Sequence, residues 1–275
     1  MGPDSAADSE RNTVIAVVQF APHTDKQANL AELRGHAVAA ARAGARVVVA
    51  PEYAMFGVAR LDERVVAAAE PVDGPFVTGL GELASELGVH LVAGFAERLP
   101  DDRERVHNTV VAIGPDAAPA AVYRKVHLFD AFGFTESDIV APGPVTEPAV
   151  FTADGIRIGL QTCYDLRFPE SVRRIAVAGA DVLALPAQWI PGPLKEDHWT
   201  TLLRARAIEN TFYVAAADHA APRGAGNSMI VDPMGIVVAN LGDRTGIAAA
   251  PVSAARLRQV RTANPCLQLR RLPPE

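Results

Sequence analysis

The chain has 275 residues, 49% of them hydrophobic and 21% charged, with a net charge of −6. That length and mixture suit a globular fold burying roughly three quarters of its unfolded surface, and they exclude a disordered or fibrous chain. The acidic balance and the lack of a basic run argue against nucleic acid as partner. Two well-separated cysteines make no disulfide framework and point to the cytoplasm, and no apolar run of about 18 residues escapes a charge, so no membrane span is expected.

Short β-rich runs then alternate with longer helical ones. Strands are predicted over 13–20, 46–50, 89–95, 106–113, 120–125, 156–162, 182–185 and 212–216, and helices over 27–43, 75–87, 170–178 and 198–210. Gly44 and Gly88 close the first two helices. Near the end, 228–231 and 236–239 flank Asp232-Pro233-Met234-Gly235, a turn by composition, so an antiparallel pair and a mixed sheet are expected. A single sheet of this many strands would be wide, and two sheets face to face with helices outside both suit the pattern better. Residues 1–12 are expected to form a flexible tail and 272–275 to fray, leaving one α/β domain over 13–271.

Three predicted strands end on unusual residues. The run 46–50 leads through Pro51 to Glu52, the run 120–125 delivers Lys125, and the run 156–162 gives way to Cys163. In α/β sheets the crevice beyond the strands' carboxyl ends is the usual ligand site. A Glu, a Lys and a Cys there have compatible tasks: a base, a partner for a developing oxyanion, and a nucleophile. A helix expected to start near Pro169 would favour the thiolate of Cys163 through its dipole. Each residue alone also has a plain structural explanation, as a small core thiol, a cap or a surface charge. His127 could pair with Cys163 instead, but alternation would put it on Lys125's face, where packing is its expected role. No metal-ligand spacing, Walker sequence or nucleophilic-serine motif occurs, so no metal and no cofactor are expected. Cys266, near the tail, is expected to pack.

The blocks Ala50-Pro51-Glu52-Tyr53, Tyr123-Arg124-Lys125-Val126-His127-Leu128-Phe129-Asp130 and Thr162-Cys163-Tyr164-Asp165-Leu166-Arg167-Phe168-Pro169-Glu170 resemble, in order, those of the nitrilase superfamily of carbon–nitrogen hydrolases. The resemblance implies a four-layer α-β-β-α sandwich that pairs into a homodimer. It implies Glu52, Lys125 and Cys163 as catalytic residues, Glu136 as a supporting carboxylate, and the Tyr164 backbone N–H as a second oxyanion donor. Tyr53, Trp189 and His198 are expected to border the substrate, with Trp189 either a pocket wall or a buried anchor. The segments 198–210 and 267–271 are most similar to the branch acting on ω-amides and deaminated glutathione, whereas the loop 187–193 departs from it. The implied substrate is a small amide. N-carbamoyl amino acids and nitriles share the same triad, and a non-catalytic binding protein is the competing class.

Overall fold

The computed structural model describes residues 12–272. One sheet is built from β1 (Asn12–Gln19), β2 (Val47–Val49), β3 (His90–Arg98), β4 (Val106–Ile113), β5 (Pro119–Arg124) and, from far along the chain, β12 (Gly246–Ser253). The other takes β6 (Val150–Ala153), β7 (Ile156–Leu160), β8 (Val182–Ala187), β9 (Tyr213–Asp218), β10 (Met229–Val231) and β11 (Val237–Asn240). Their orders are β12-β1-β2-β3-β4-β5 and β6-β7-β8-β9-β10-β11. Along both, the pairings run antiparallel, parallel, parallel, antiparallel, antiparallel. The two halves thus repeat one topology although no repeat is visible in their residues.

Period-two alternation sorts the strand side chains into separate layers. Ile15, Val17, Val47, Val49 and Val92 of the first sheet pack with Ile158, Leu160, Val182, Ala184 and Ala215 of the second. The intervening residues Ala16, Val18, Val48, Leu91 and Ala93 face instead a helical layer. That layer holds α1 (Lys26–Arg42), α2 (Glu63–Ala68) and α3 (Pro75–Leu87). On the far side Leu183, Leu185, Val214, Ala216 and Met229 pack with Val172, Ile175, Trp199 and Leu203. Those residues come from α4 (Pro169–Val177) and α5 (Lys195–Asn210). The result is the α-β-β-α sandwich with mixed sheets. The central strand β2 is buried on both faces, as a parallel strand covered on both sides must be.

The helix ends follow their sequence signals. Asp25 caps α1 by accepting from the Gln27 and Ala28 N–H groups at 3.0 Å. Pro75 and Pro169 open α3 and α4, and Gly88 closes α3 in the left-handed region at φ 64°. Four elements escape the sequence reading: α2, β6, β12 and α6 (Ala254–Ala263). In addition, α5 begins three residues before His198, and β7 stops at Leu160 rather than Thr162. β1 already begins at Asn12, the last residue of the expected tail; the rest of that tail and residues 273–275 lie outside the described residues.

Candidate active site

Beyond β2 the chain passes Ala50 and Pro51 to Glu52, and Tyr53 then turns it with a left-handed backbone (φ 52°). The backbone of Glu52 lies directly against Gly94 of β3, where a β carbon would stand 2.7 Å from the Glu52 Cα. Only glycine admits that approach. At the end of β5, Arg124 is fastened by two bonds to Glu97, 2.6 and 2.7 Å long. The next residue, Lys125, donates its backbone N–H to the Asn108 carbonyl at 2.8 Å. Its side chain is buried, and Nζ donates to Glu52 Oε1 at 3.1 Å and to both oxygens of Glu136 at 3.0 and 2.8 Å.

Cys163 opens a 3-10 turn, Cys163–Arg167, with φ +49°. Thr162 and Asp165 hold this turn through a reciprocal capping box, and Thr162 Oγ1 donates to the Pro186 carbonyl at 2.8 Å. The Tyr164 N–H is among the first of the turn, where no preceding turn exists to accept it. Sγ of Cys163 is 3.7 Å from the Gln188 carbonyl oxygen, and the Gln188 N–H donates to Glu52 Oε2 at 2.6 Å. One residue after β8 therefore touches both the thiol and the carboxylate. Glu52, Lys125, Glu136 and Cys163 share one cavity of about 220 Å³, whose apolar lining includes Val58, Leu61, Phe134, Ile139 and Ile190.

Two buried residues of the cluster escape the sequence reading. Asn108, on β4, donates from Nδ2 to Glu52 Oε1 at 2.6 Å and to Glu136 Oε1 at 3.2 Å. Its signal was a lone amide inside the apolar run of β4. Gln188 left no signal, because its backbone rather than its side-chain type makes both contacts. Glu136 is held further by the Phe129 N–H at 2.6 Å and the Tyr53 hydroxyl at 3.3 Å.

The charges set the protonation states. Burial pushes the Cys163 thiol well up, Glu52 pushes it further, and Lys125 only partly opposes them. Burial alone would lower Lys125, but Glu136 and Glu52 outweigh it and hold the ammonium well above its ordinary range. The resting pair is a neutral thiol beside an ammonium, the reverse of the expected thiolate. Burial is the main reason, two carboxylates crowd the thiol against one lysine, and α4 starts only at Pro169, six residues on.

His127 turns away from the cluster, because β5 has ended at Arg124 and strand alternation no longer applies. Its Nδ1 lies 2.7 Å from Asp165 Oδ1 and its ring stacks on Phe168 at 3.7 Å, so it braces the Cys163 turn from outside. Tyr53 lines the main cavity. Trp189 is a buried anchor, donating to the Lys195 carbonyl at 2.7 Å, and also lines a smaller recess beside Cys163. His198 lines neither space and instead lies 3.4 Å from an Arg167 nitrogen. Cys266 is remote, its sulfur 3.4 Å from the Glu209 carbonyl. Among the described residues no group of three or more His, Cys, Asp or Glu is placed to hold a metal. No described helix is long and apolar enough to cross a membrane.

The carbon–nitrogen hydrolase family model matches residues 14–262. A Mycobacterium tuberculosis protein named only as a hydrolase is 41% identical over 263 residues, covering 90% of this chain and 91% of its own. Human deaminated glutathione amidase is 38% identical over 273 residues, covering 94% of this chain and 82% of that one. Among solved structures, the amidase of Nesterenkonia AN1, from the nitrilase superfamily, superposes with a TM-score of 0.81 at 27% identity over 96% of this chain and 95% of its own. A carbon–nitrogen bond hydrolase is the class that these likenesses define. The chain belongs to the carbon–nitrogen hydrolase family, in the nitrilase superfamily, with amidases among its relatives.

Proposed function

We propose that the protein hydrolyses a small amide through a thioester on Cys163. Glu52 takes the thiol proton as sulfur attacks the carbonyl carbon, and the oxyanion forms against Lys125 Nζ and the Tyr164 N–H. The tetrahedral intermediate collapses, the C–N bond breaks, and Glu52 returns its proton to the leaving ammonia or amine. Water then gives its proton to Glu52 and attacks the thioester, releasing the acid and restoring the thiol. Glu136 holds Lys125 in place. The observation that carries this reading is the single ammonium bonded to two buried carboxylates in the cavity that also holds the cysteine. A neutral resting thiol fits it, since the nucleophile then needs a base within the site.

The test is a turnover screen of simple amides, N-carbamoyl amino acids and nitriles with wild type, Cys163→Ala and Glu52→Gln. Amide hydrolysis is expected, lost in both variants, with no burst of product from Glu52→Gln. Turnover confined to carbamoyl compounds or nitriles would replace the substrate class, and full activity of Cys163→Ala would end the mechanism.

The assembly proposed is a homodimer of single 13–271 hydrolase domains. Support comes from Ile208 on α5, exposed beside Met234 and Ile236 of the β10–β11 turn, an apolar patch suited to a second copy. Light scattering that found a fully active monomer would remove this proposal. Cytoplasmic location is proposed on the two free cysteines, and cell fractionation tests it.

A further inference from the structure

The two oxygens of Glu52 are held in different ways. Oε1 accepts from two side chains, Asn108 Nδ2 at 2.6 Å and Lys125 Nζ at 3.1 Å. Oε2 accepts from the Gln188 backbone N–H at 2.6 Å, its one partner among the described residues. The carbonyl of the same residue accepts from Cys163 Sγ at 3.7 Å. Whatever fixes the backbone at Gln188 therefore fixes base and nucleophile together.

Asp218 is placed to do so. β8 and β9 form a parallel ladder as far as the pair Ala187–Asp218. One residue further on, Trp189 finds its acceptor in a side chain instead of a strand. Asp218 Oδ1 accepts from the Trp189 N–H at 2.7 Å and from the His219 N–H at 2.8 Å. The Trp189 N–H and the Gln188 carbonyl belong to one planar trans peptide and point in opposite directions. Holding the N–H on Asp218 thus aims the carbonyl at Cys163. The Ala225 N–H takes the Trp189 carbonyl at 2.8 Å, and the Asp218 N–H donates to Ser228 Oγ at 2.8 Å, so both sides of the contact are anchored.

Packing gives no reason for a carboxyl at this place. β9 is buried throughout, and Asp218 is its only charged residue. Its Oδ2 is buried with no partner among the described residues, which costs stability. Burial pushes the carboxyl well above its ordinary range, against the two N–H bonds, and the Glu52 charge adds to the rise. A neutral acid there serves through its acceptor oxygen, not through charge.

We propose that Asp218 is a positioning residue of the hydrolytic site: by orienting the peptide between Gln188 and Trp189, its Oδ1 holds the Gln188 carbonyl on the nucleophile and the Gln188 N–H on Glu52. This rests on the hydrolase roles given to Cys163 and Glu52. Asp218 itself meets no substrate, since it lines neither of the spaces beside Cys163.

The test compares wild type with Asp218→Asn, which keeps an acceptor oxygen, and with Asp218→Ala and Asp218→Leu, which do not. Leucine fills the space that alanine leaves, so a folding failure in one variant does not end the comparison. Two quantities are read: steady-state kinetics per folded protein, and the pH profile of Cys163 alkylation by iodoacetamide. Asp218→Asn should keep kcat within about threefold, whereas the other two should lose about 30- to 100-fold in kcat with KM little changed. Their alkylation profiles should move to lower pH, because the bond from Sγ to the Gln188 carbonyl is one that only the neutral thiol makes. The Asp218→Asn profile should overlay wild type. Lower melting temperatures with unchanged kcat and unchanged profiles would mean that Asp218 only supports the fold, and would overturn the proposal. So would an Asp218→Asn protein that folds yet loses as much activity as Asp218→Ala. Should neither apolar variant fold, Asp218→Asn decides alone: kept activity and an overlaid profile support the proposal, and their loss ends it. If no amide is turned over at all, the proposed function fails, and the alkylation profiles still decide the role of Asp218.

Discussion

Gly94 offers a way to disturb the site without touching any group that meets substrate. A β carbon at this position would stand 2.7 Å from the Glu52 Cα, 2.9 Å from the Tyr53 nitrogen and 3.1 Å from the Glu52 carbonyl carbon. Ordinary contact begins near 3.4 Å, so about 0.7 Å must be found, and no side chain can rotate to supply it because all three atoms are backbone. β3 is paired on both edges, with β2 and β4, so the Glu52–Tyr53 turn is the part that yields. A shift of that size stretches the 3.1 Å contact to Lys125 and the 2.6 Å bond from the Gln188 N–H. Misplacements approaching 1 Å cost about 100-fold in rate, while overpacking costs about 1–3 kcal/mol of stability. Gly94→Ala is therefore expected to fold and to lose about 30- to 100-fold in kcat on the preferred amide. Steady-state kinetics beside urea unfolding reads both quantities. A variant with kcat within threefold of wild type would refute the claim that this contact positions Glu52.

Two further outcomes follow from charge. Alkylation of Cys163 by iodoacetamide, read by peptide mass spectrometry, should keep rising beyond about pH 9, where an ordinary thiol levels off. Glu52→Gln should move that profile to lower pH even though turnover stops, because the Glu52 charge is one cause that pushes the thiol up; an unmoved profile would contradict this. His219, buried with Nε2 2.6 Å from the Glu52 carbonyl oxygen, is lowered by burial from 6.5 to about 4. Between those values the unfolded chain binds the extra proton, so this contribution to stability is complete above pH 6.5 and is lost as pH falls toward 4. The loss amounts to about 1.4 kcal/mol per pH unit, so His219→Gln should flatten the acid limb of the stability curve by about 2–3 kcal/mol at pH 4.5. Parallel curves for the two proteins would show that His219 is not buried neutral.

Glu52, Lys125 and Cys163 were legible because each interrupts or follows an apolar β run, and a strand end is where a sheet presents chemistry. The partners that tune them were not. Asn108 lies 56 positions from Glu52 in sequence, and only the β3–β4 pairing brings it close. Gln188 acts through its backbone, which no residue type announces. The thiolate expectation failed for a related reason: burial and the neighbouring Glu52 charge push the thiol up, and neither the depth of Cys163 nor its distance from Glu52 can be read from local patterning. Among the elements, β12 was missed because its residues, Gly246-Ile247-Ala248-Ala249-Ala250-Pro251-Val252-Ser253, give little hydrophobic contrast and include a proline. Its pairing with β1 joins the two ends of the chain, a contact that local patterning cannot reveal.

The left-handed backbone of Cys163 bears on any effort to stabilise the protein. An L-residue held at φ +49° gives up about 1–2 kcal/mol that glycine would not. Cys163→Gly would relieve that strain, yet it would also empty a packed, buried position and free the unfolded chain, so the gain is largely cancelled. Melting temperature therefore says little about whether the thiol has been kept, and any search for hardier versions of this protein has to score turnover beside it.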